Sequence, residues 1–419
     1  MDITITPGRL SGSVAAIPSK SQAHRLLICA AFSNHETTLV CPETNRDIEA
    51  TADCLRALGA KIDRTNDGYS IDPVNKLPGP AVLDCCESGS TLRFMLPIAG
   101  ALGVDATFQM AGRLPQRPLS PLWEEMERMG CTLSRPTSDT IRCQGKLKSG
   151  EYTIDGGVSS QFITGLLFAL CLMEGKSSLN ITGKVESKPY IDLTKKAISL
   201  FGGRIGGRGF HTPGYVTVEG DWSNGAFWLA AKALGNDLNV SNLDPKSPQG
   251  DRAVADILPK LKENITISAA DIPDLVPVLS VSAAARQGAV FTDIQRLRIK
   301  ESDRVASTIA MIEGLGGKAM ASEDVLTIFG TGLIGGTVDA MNDHRIAMAA
   351  AIAATVCKAP VTILGAECVK KSYPKFWEEY ERLQRHCEPV RRLVWQSPMD
   401  SDHSDNPRDS HASVSTGSE

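Results

Sequence analysis

The stretch Arg296-Leu297-Arg298-Ile299-Lys300-Glu301-Ser302-Asp303-Arg304 sets one carboxylate among several cations. It follows a strand-like run, Val290-Phe291-Thr292-Asp293-Ile294, and precedes a helix expected from Asp303. Lys300 and Arg304 are four apart and share a face if helical. Glu301, held between cations near an anionic ligand, can gain or lose a proton as the local charge balance changes. A salt-bridged helix start is the plainer alternative. Asn342-Asp343-His344-Arg345 opens an apolar helix, where the dipole disfavours Arg and His, and a bound anion explains them. Other segments repeat the theme. Lys20, Ser21 and Arg25 sit at the start of one apolar helix, Gly89 at a second, and Ser159, Ser160 and Gln161 at a third. Gly89 permits close approach to the backbone, and hydroxyls at a helix start suit a phosphate, a polyol or plain capping. Lys370 and Lys371 follow a strand, where a lysine pair is also common solvated surface.

The composition narrows the classes. The chain has 419 residues and a formal net charge of −4, so it lacks the basic excess of a nucleic-acid binder. No stretch is long and apolar enough to span a membrane, and no signal segment precedes the first strand-like residues. The expected setting is the cytoplasm. Eleven cysteines without a CxxC pair read as reduced thiols, and the seven histidines show no metal-binding spacing. Gly330-Thr331-Gly332-Leu333-Ile334-Gly335 matches GxGxxG, but Gly336-Thr337-Val338-Asp339 follows instead of a helix, which argues against a dinucleotide. From 387 to 419 the chain is polar and is expected to be disordered.

The elements that position these residues recur along the chain. Amphipathic helices end at Gly59, Gly130, Gly202 and Gly316, and each glycine suits a left-handed cap. A further helix, Asp251 to Lys262, fits the series without a glycine. Six almost wholly apolar helices begin at about Ser19, Ser88, Ser159, Ser223, Asp274 and Asn342, each with a plausible N-cap. Short strands lie between them. The chain therefore reads as α/β, with six repeated units of about 50–70 residues, three per domain. Six buried helices with polar starts could aim several positive dipole ends at one cleft.

Taken in order, these segments, with Gln116-Arg117-Pro118-Leu119, Ser187-Lys188-Pro189-Tyr190, Ile272-Pro273-Asp274 and Lys371-Ser372-Tyr373-Pro374, resemble the 5-enolpyruvylshikimate-3-phosphate synthase family. The resemblance runs from about residue 3 to 385. It implies a two-domain inside-out α/β barrel, with residues 1–17 plus 222–386 in one domain and 18–221 in the other. It implies transfer of the enolpyruvyl group of phosphoenolpyruvate to the 5-hydroxyl of shikimate 3-phosphate, without cofactor or metal, by a monomer. Carried over by position, Lys20, Ser21, Arg25, Ser159, Ser160, Gln161, Ser187, Asp274 and Lys300 are expected to hold shikimate 3-phosphate. Lys20, Gly89, Arg117, Gln161, Arg304, Arg345 and Lys371 are expected to meet phosphoenolpyruvate. Asp274 and Glu301 are the expected acid–base pair, with Lys20 a rival for part of that work. Glu87 and Arg296 depart from the family pattern, which often has Asn or Asp at the first position and Asn at the second. Two other readings remain: a sister transferase acting on UDP-N-acetylglucosamine, and a non-catalytic binding protein of the same fold.

Overall fold

A computed structural model describes residues 1–385 and 394–396. Its buried apolar side chains form two separate cores. One gathers Ile3–Ile17 with Trp222–Leu383, and the other gathers Ala23–Val218. The chain crosses between them twice, and the crossings touch: Asp221 N–H donates to Ile17 O and Ser19 N–H to Glu219 O.

Six parallel strand pairs define six units. Four are direct strand–helix–strand turns: 81–84 with 106–109, 151–155 with 178–182, 265–268 with 288–292, and 336–339 with 361–364. The other two pair strands distant in sequence, 37–40 with 215–217 and 11–15 with 237–241. Those two pairings close the ends of the crossing chain onto the units they left. Four sheets share one order, a parallel pair followed by two antiparallel neighbours. The six sheets remain separate, so strand pairing among the described residues does not run around a closed barrel.

The helices lie inside and the sheets outside. In His344–Ala354 all eleven residues are buried, and Val276–Ala284 is likewise buried throughout. A helix apolar on every side has no face to offer water. Burial of each large aliphatic side chain contributes about 1.5–3 kcal/mol. Sheet strands instead alternate, as in Glu151–Asp155, whose Tyr152 and Ile154 point inward. The glycine-ended helices occur as expected, with Gly59, Gly130, Gly202 and Gly316 all at positive φ.

Several expectations need correction. The helix starts at Ser19, Ser88 and Ser159 are true caps, but Trp222–Ala233 is capped by Asp221 rather than Ser223. His344–Ala354 is capped by Asp343, while Asn342 stands at φ 54 in the preceding turn. Asp274 caps nothing; Val276–Ala284 starts after Leu275 without a side-chain cap, because the Asp274 carboxylate is held by arginines. The expected helix from 251 to 262 is broken into 3-10 and short α segments, with Pro259 inside the break. Lys300 and Arg304 do not share a helix face, since Lys300 is extended and the helix begins at Arg304. The expected disordered tail lies outside the described residues, except that 394–396 form a strand beside 2–5.

Candidate active site

The N-termini of the helices at Lys20, Gly89 and Ser160 open on one cleft between the two cores. Their caps are deeply placed: Ser19 and Ser88 are fully buried and accept from Gln22 N–H and Thr91 N–H. Side-chain caps satisfy only part of each first turn, and the helix dipoles add positive potential at these ends. Twelve of the expected site residues line this cleft: Lys20, Ser21, Arg25, Gly89, Arg117, Ser159, Ser160, Gln161, Ser187, Asp274, Lys300 and Glu301. Lys371 lines a smaller adjoining cavity together with Arg117 and Glu301. Arg304 and Arg345 stand behind the wall, almost fully buried and tied to its carboxylates.

Arg304 organises the charge. Its Nε lies 2.8 Å from Asp343 Oδ2, its Nη1 2.5 Å from Asp274 Oδ1, and its Nη2 2.7 Å from Glu301 Oε2. Arg345 Nη2 adds a contact of 3.0 Å to Asp274 Oδ2, and Arg117 Nη1 stands 3.6 Å from Glu301 Oε1. Burial alone would raise the pKa of both carboxyls. For Asp274 the neighbouring Arg345, Arg304 and Lys300 outweigh it and hold the group ionised. For Glu301, Arg304 and Arg117 do the same, well below the usual range. Burial likewise opposes the charge on Lys20, yet Asp47, 2.8 Å away, and Glu301 raise it, so Lys20 is an ammonium. Lys300 is the exception: burial, with Arg296 and Arg304 nearby, overrides Asp274 and lowers it to about 7.

Other expected residues are partly spoken for. Arg25 donates to Thr194 Oγ1 (2.8 Å), Ser21 O (2.6 Å) and Tyr190 O (2.9 Å), so its guanidinium braces the cleft floor. Ser187 Oγ donates to Ala270 O and accepts from Arg296 Nη1 at 2.9 Å. Gln161 joins Arg93 (2.9 Å) and Ser90 (2.9 Å).

Sequence reasoning missed Asp47, Arg93, Tyr190 and Arg296 as members of the site. Arg93 lies one helical turn beyond Gly89, and Tyr190 follows a Pro that opens a helix, so both carried a usable signal. Asp47 sits in an ordinary amphipathic helix and carried none. Among the described residues no group of three or more His, Cys, Asp or Glu is placed to hold a metal. All ten described cysteines are free. No described helix is long and apolar enough to cross a membrane.

This architecture is shared with solved enolpyruvyl transferases. An EPSP synthase from Acinetobacter baumannii matches with a TM-score of 0.74 at 22% identity, covering 91% of this chain and 98% of that one. The enolpyruvyl transferase NikO from Streptomyces tendae matches with a TM-score of 0.69 at 18% identity, over 91% and 97%. The fold is therefore that of the solved enolpyruvyl transferases.

Within that class the sequence is decisive. Residues 5–380 match the family model for EPSP synthase (3-phosphoshikimate 1-carboxyvinyltransferase). A 3-phosphoshikimate 1-carboxyvinyltransferase of Clostridium kluyveri is 40% identical over 91% of this chain and 97% of its own length. That of Clostridium beijerinckii is 38% identical over the same shares. The chain belongs to the EPSP synthase family, and it is an enolpyruvyl transferase of aromatic amino acid biosynthesis.

Proposed function

We propose that the cleft carries out the family reaction through Asp274, Glu301 and Lys20, joining phosphoenolpyruvate to the 5-hydroxyl of shikimate 3-phosphate and releasing phosphate. The observation that carries this reading is the single guanidinium of Arg304 shared by Asp274 and Glu301, at 2.5 and 2.7 Å. Both substrates are anions with several charges, and Lys20, Arg117, Arg304, Arg345, Lys300 and Lys371 supply matching cations. Each charge-assisted contact contributes about 1.5–3 kcal/mol, so a few of them set the affinity.

The unliganded charge balance has a mechanistic consequence. A carboxylate clamped by arginines is a poor base and cannot act as an acid. Arrival of phosphoenolpyruvate draws Arg117, Arg304 and Arg345 toward its own anionic groups. Asp274 and Glu301 then regain basicity in a buried setting, which raises their pKa toward the working range. Asp274 takes the proton of the 5-hydroxyl as its oxygen bonds to C2 of phosphoenolpyruvate. Glu301, protonated once the arginines are drawn away, gives its proton to the methylene carbon. The tetrahedral adduct then expels phosphate while Glu301 takes back a methyl proton, restoring the double bond. Lys20, an ammonium before the substrates arrive, gives a proton to the bridging oxygen as phosphate departs and regains one from Asp274, which returns Asp274 to its carboxylate form.

Shikimate 3-phosphate is assigned to Lys20, Ser21, Ser159, Ser160, Gln161, Ser187, Asp274 and Lys300, with Arg25 bracing its floor. Phosphoenolpyruvate is assigned to Lys20, Gly89, Arg117, Gln161, Arg304, Arg345 and Lys371. The two bodies, 1–17 plus 222–386 and 18–221, close around them, because exclusion of water strengthens these charges and protects the adduct. The two separate cores support that division. The reading includes a monomer in the cytoplasm, and light scattering of the purified chain tests the first of these.

Phosphate release is the direct test. Release with phosphoenolpyruvate and shikimate 3-phosphate, but not with UDP-N-acetylglucosamine, is the expected result. Release with the second acceptor alone, or with neither, overturns the reading.

A further inference from the structure

The mechanism makes no use of Glu87, yet its carboxylate occupies a built seat at the edge of the site. Its Oε2 lies 2.8 Å from Lys371 Nζ and accepts from Asn342 Nδ2 at 3.0 Å. Glu87 stands beside the cap of the 89–102 helix, packed with one core, whereas Lys371 and Asn342 border elements of the other. One carboxylate oxygen thus bridges the two sides of the cavity that Arg117, Glu301 and Lys371 line. Gly112, at φ +56, makes room for it, since a Cβ there would collide with the Glu87 carboxylate. The Lys371 ammonium is nearly buried, and its other partner is Asn342 O at 2.8 Å. Of its three N–H donors, one therefore meets the Glu87 carboxylate and one a neutral carbonyl.

We propose that Glu87 sets the affinity for the enolpyruvyl donor, by holding the anion seat at Lys371 until phosphoenolpyruvate displaces it. This rests on the assignment of Lys371 to phosphoenolpyruvate. Any anion that reaches Lys371 must break the Glu87 pair, so its gain is reduced by what that pair contributed. Glu87 keeps about a third of its side chain exposed, at 31%, and can swing into water when displaced. The carboxylate also repels an incoming anion while it stays. A part-exposed pair of this kind contributes modestly, which corresponds to about a fivefold change in affinity.

Steady-state kinetics of Glu87→Gln, Lys371→Met and the double variant test this. Glu87→Gln is expected to lower KM for phosphoenolpyruvate about fivefold, with kcat within about twofold and KM for shikimate 3-phosphate unmoved. Lys371→Met is expected to raise KM for phosphoenolpyruvate, and in that background Glu87→Gln is expected to have no further effect. Thermal unfolding checks that each variant is folded, with Glu87→Ser as a second replacement. If Lys371→Met raises KM but Glu87→Gln leaves it unchanged or raises it, the proposal is overturned while the donor assignment stands. If Lys371→Met leaves KM unchanged, the donor assignment itself fails, and the proposal with it.

Discussion

Arg304 Nε meets Asp343 Oδ2 at 2.8 Å, and both side chains are almost completely withdrawn from water, at 1% and 0% exposure. Asp343 also caps the 344–354 helix and accepts from Ser302 Oγ at 3.0 Å. This buried pair anchors the guanidinium that Asp274 and Glu301 share. Replacing Asp343 by Ala leaves Arg304 charged, buried and short of a partner. We expect a loss of about 3–5 kcal/mol of stability, read from denaturant unfolding. Catalysis should fall as well in whatever fraction remains folded, because Arg304 is then no longer held where phosphoenolpyruvate is assigned to meet it.

Glu301→Gln keeps the shape of the side chain and removes its proton chemistry. The expected outcome is a fall in kcat of about 10²–10⁴, measured by phosphate release, with both substrates still bound. Near-normal turnover would assign the methyl proton to another group.

If Lys300 holds shikimate 3-phosphate as proposed, binding of that acceptor should depend on pH. In the free enzyme its ammonium titrates at about 7, lowered by burial first and by Arg296 and Arg304 next. The phosphorylated acceptor should favour the charged form and raise that value. At pH 8 the free group is mostly neutral, so charging it on binding would take up a proton. Above pH 7 the affinity for shikimate 3-phosphate should therefore weaken as pH rises. Calorimetry in buffers of different ionisation enthalpy should report uptake of up to about one proton per site. Lys300→Met should abolish that uptake.

Gly89 marks a place where an added methyl group is felt at a distance. A Cβ there would come within 2.7 Å of Arg117 Nη1 and of Arg93 Nη1. Both are ends of flexible side chains, so Gly89→Ala should fold and displace the guanidinia. The expected result is a KM for phosphoenolpyruvate raised about tenfold, the loss of one charge-assisted contact, with a smaller change in KM for shikimate 3-phosphate.

Much of this was legible in the residues themselves. The six apolar helices announce themselves because a helix without a polar face has only the interior to occupy, and Ser19, Ser88 and Ser159 cap three of them where polar residues meet apolar runs. Gly59, Gly130, Gly202 and Gly316 end helices for a backbone reason that is purely local. The cationic segments and Glu301 were visible as patterns, and their order along the chain pointed to the family. What local pattern could not decide was partnership across the chain. Asp274 looks like a helix cap until Arg304 and Arg345, 30 and 71 residues away, claim its two oxygens. Lys300 looks like any lysine until burial beside Arg296 and Arg304 lowers its pKa to about 7. Glu87 looks like a helix-flanking acid until the second core brings Lys371 to within 2.8 Å. Propensity and periodicity act over a few residues, so the sequence by itself determined the elements and the kinds of charge they carry. Coulomb energy and desolvation depend on distance in space, so only the packing of two cores decided which charges meet and which of them are free to react.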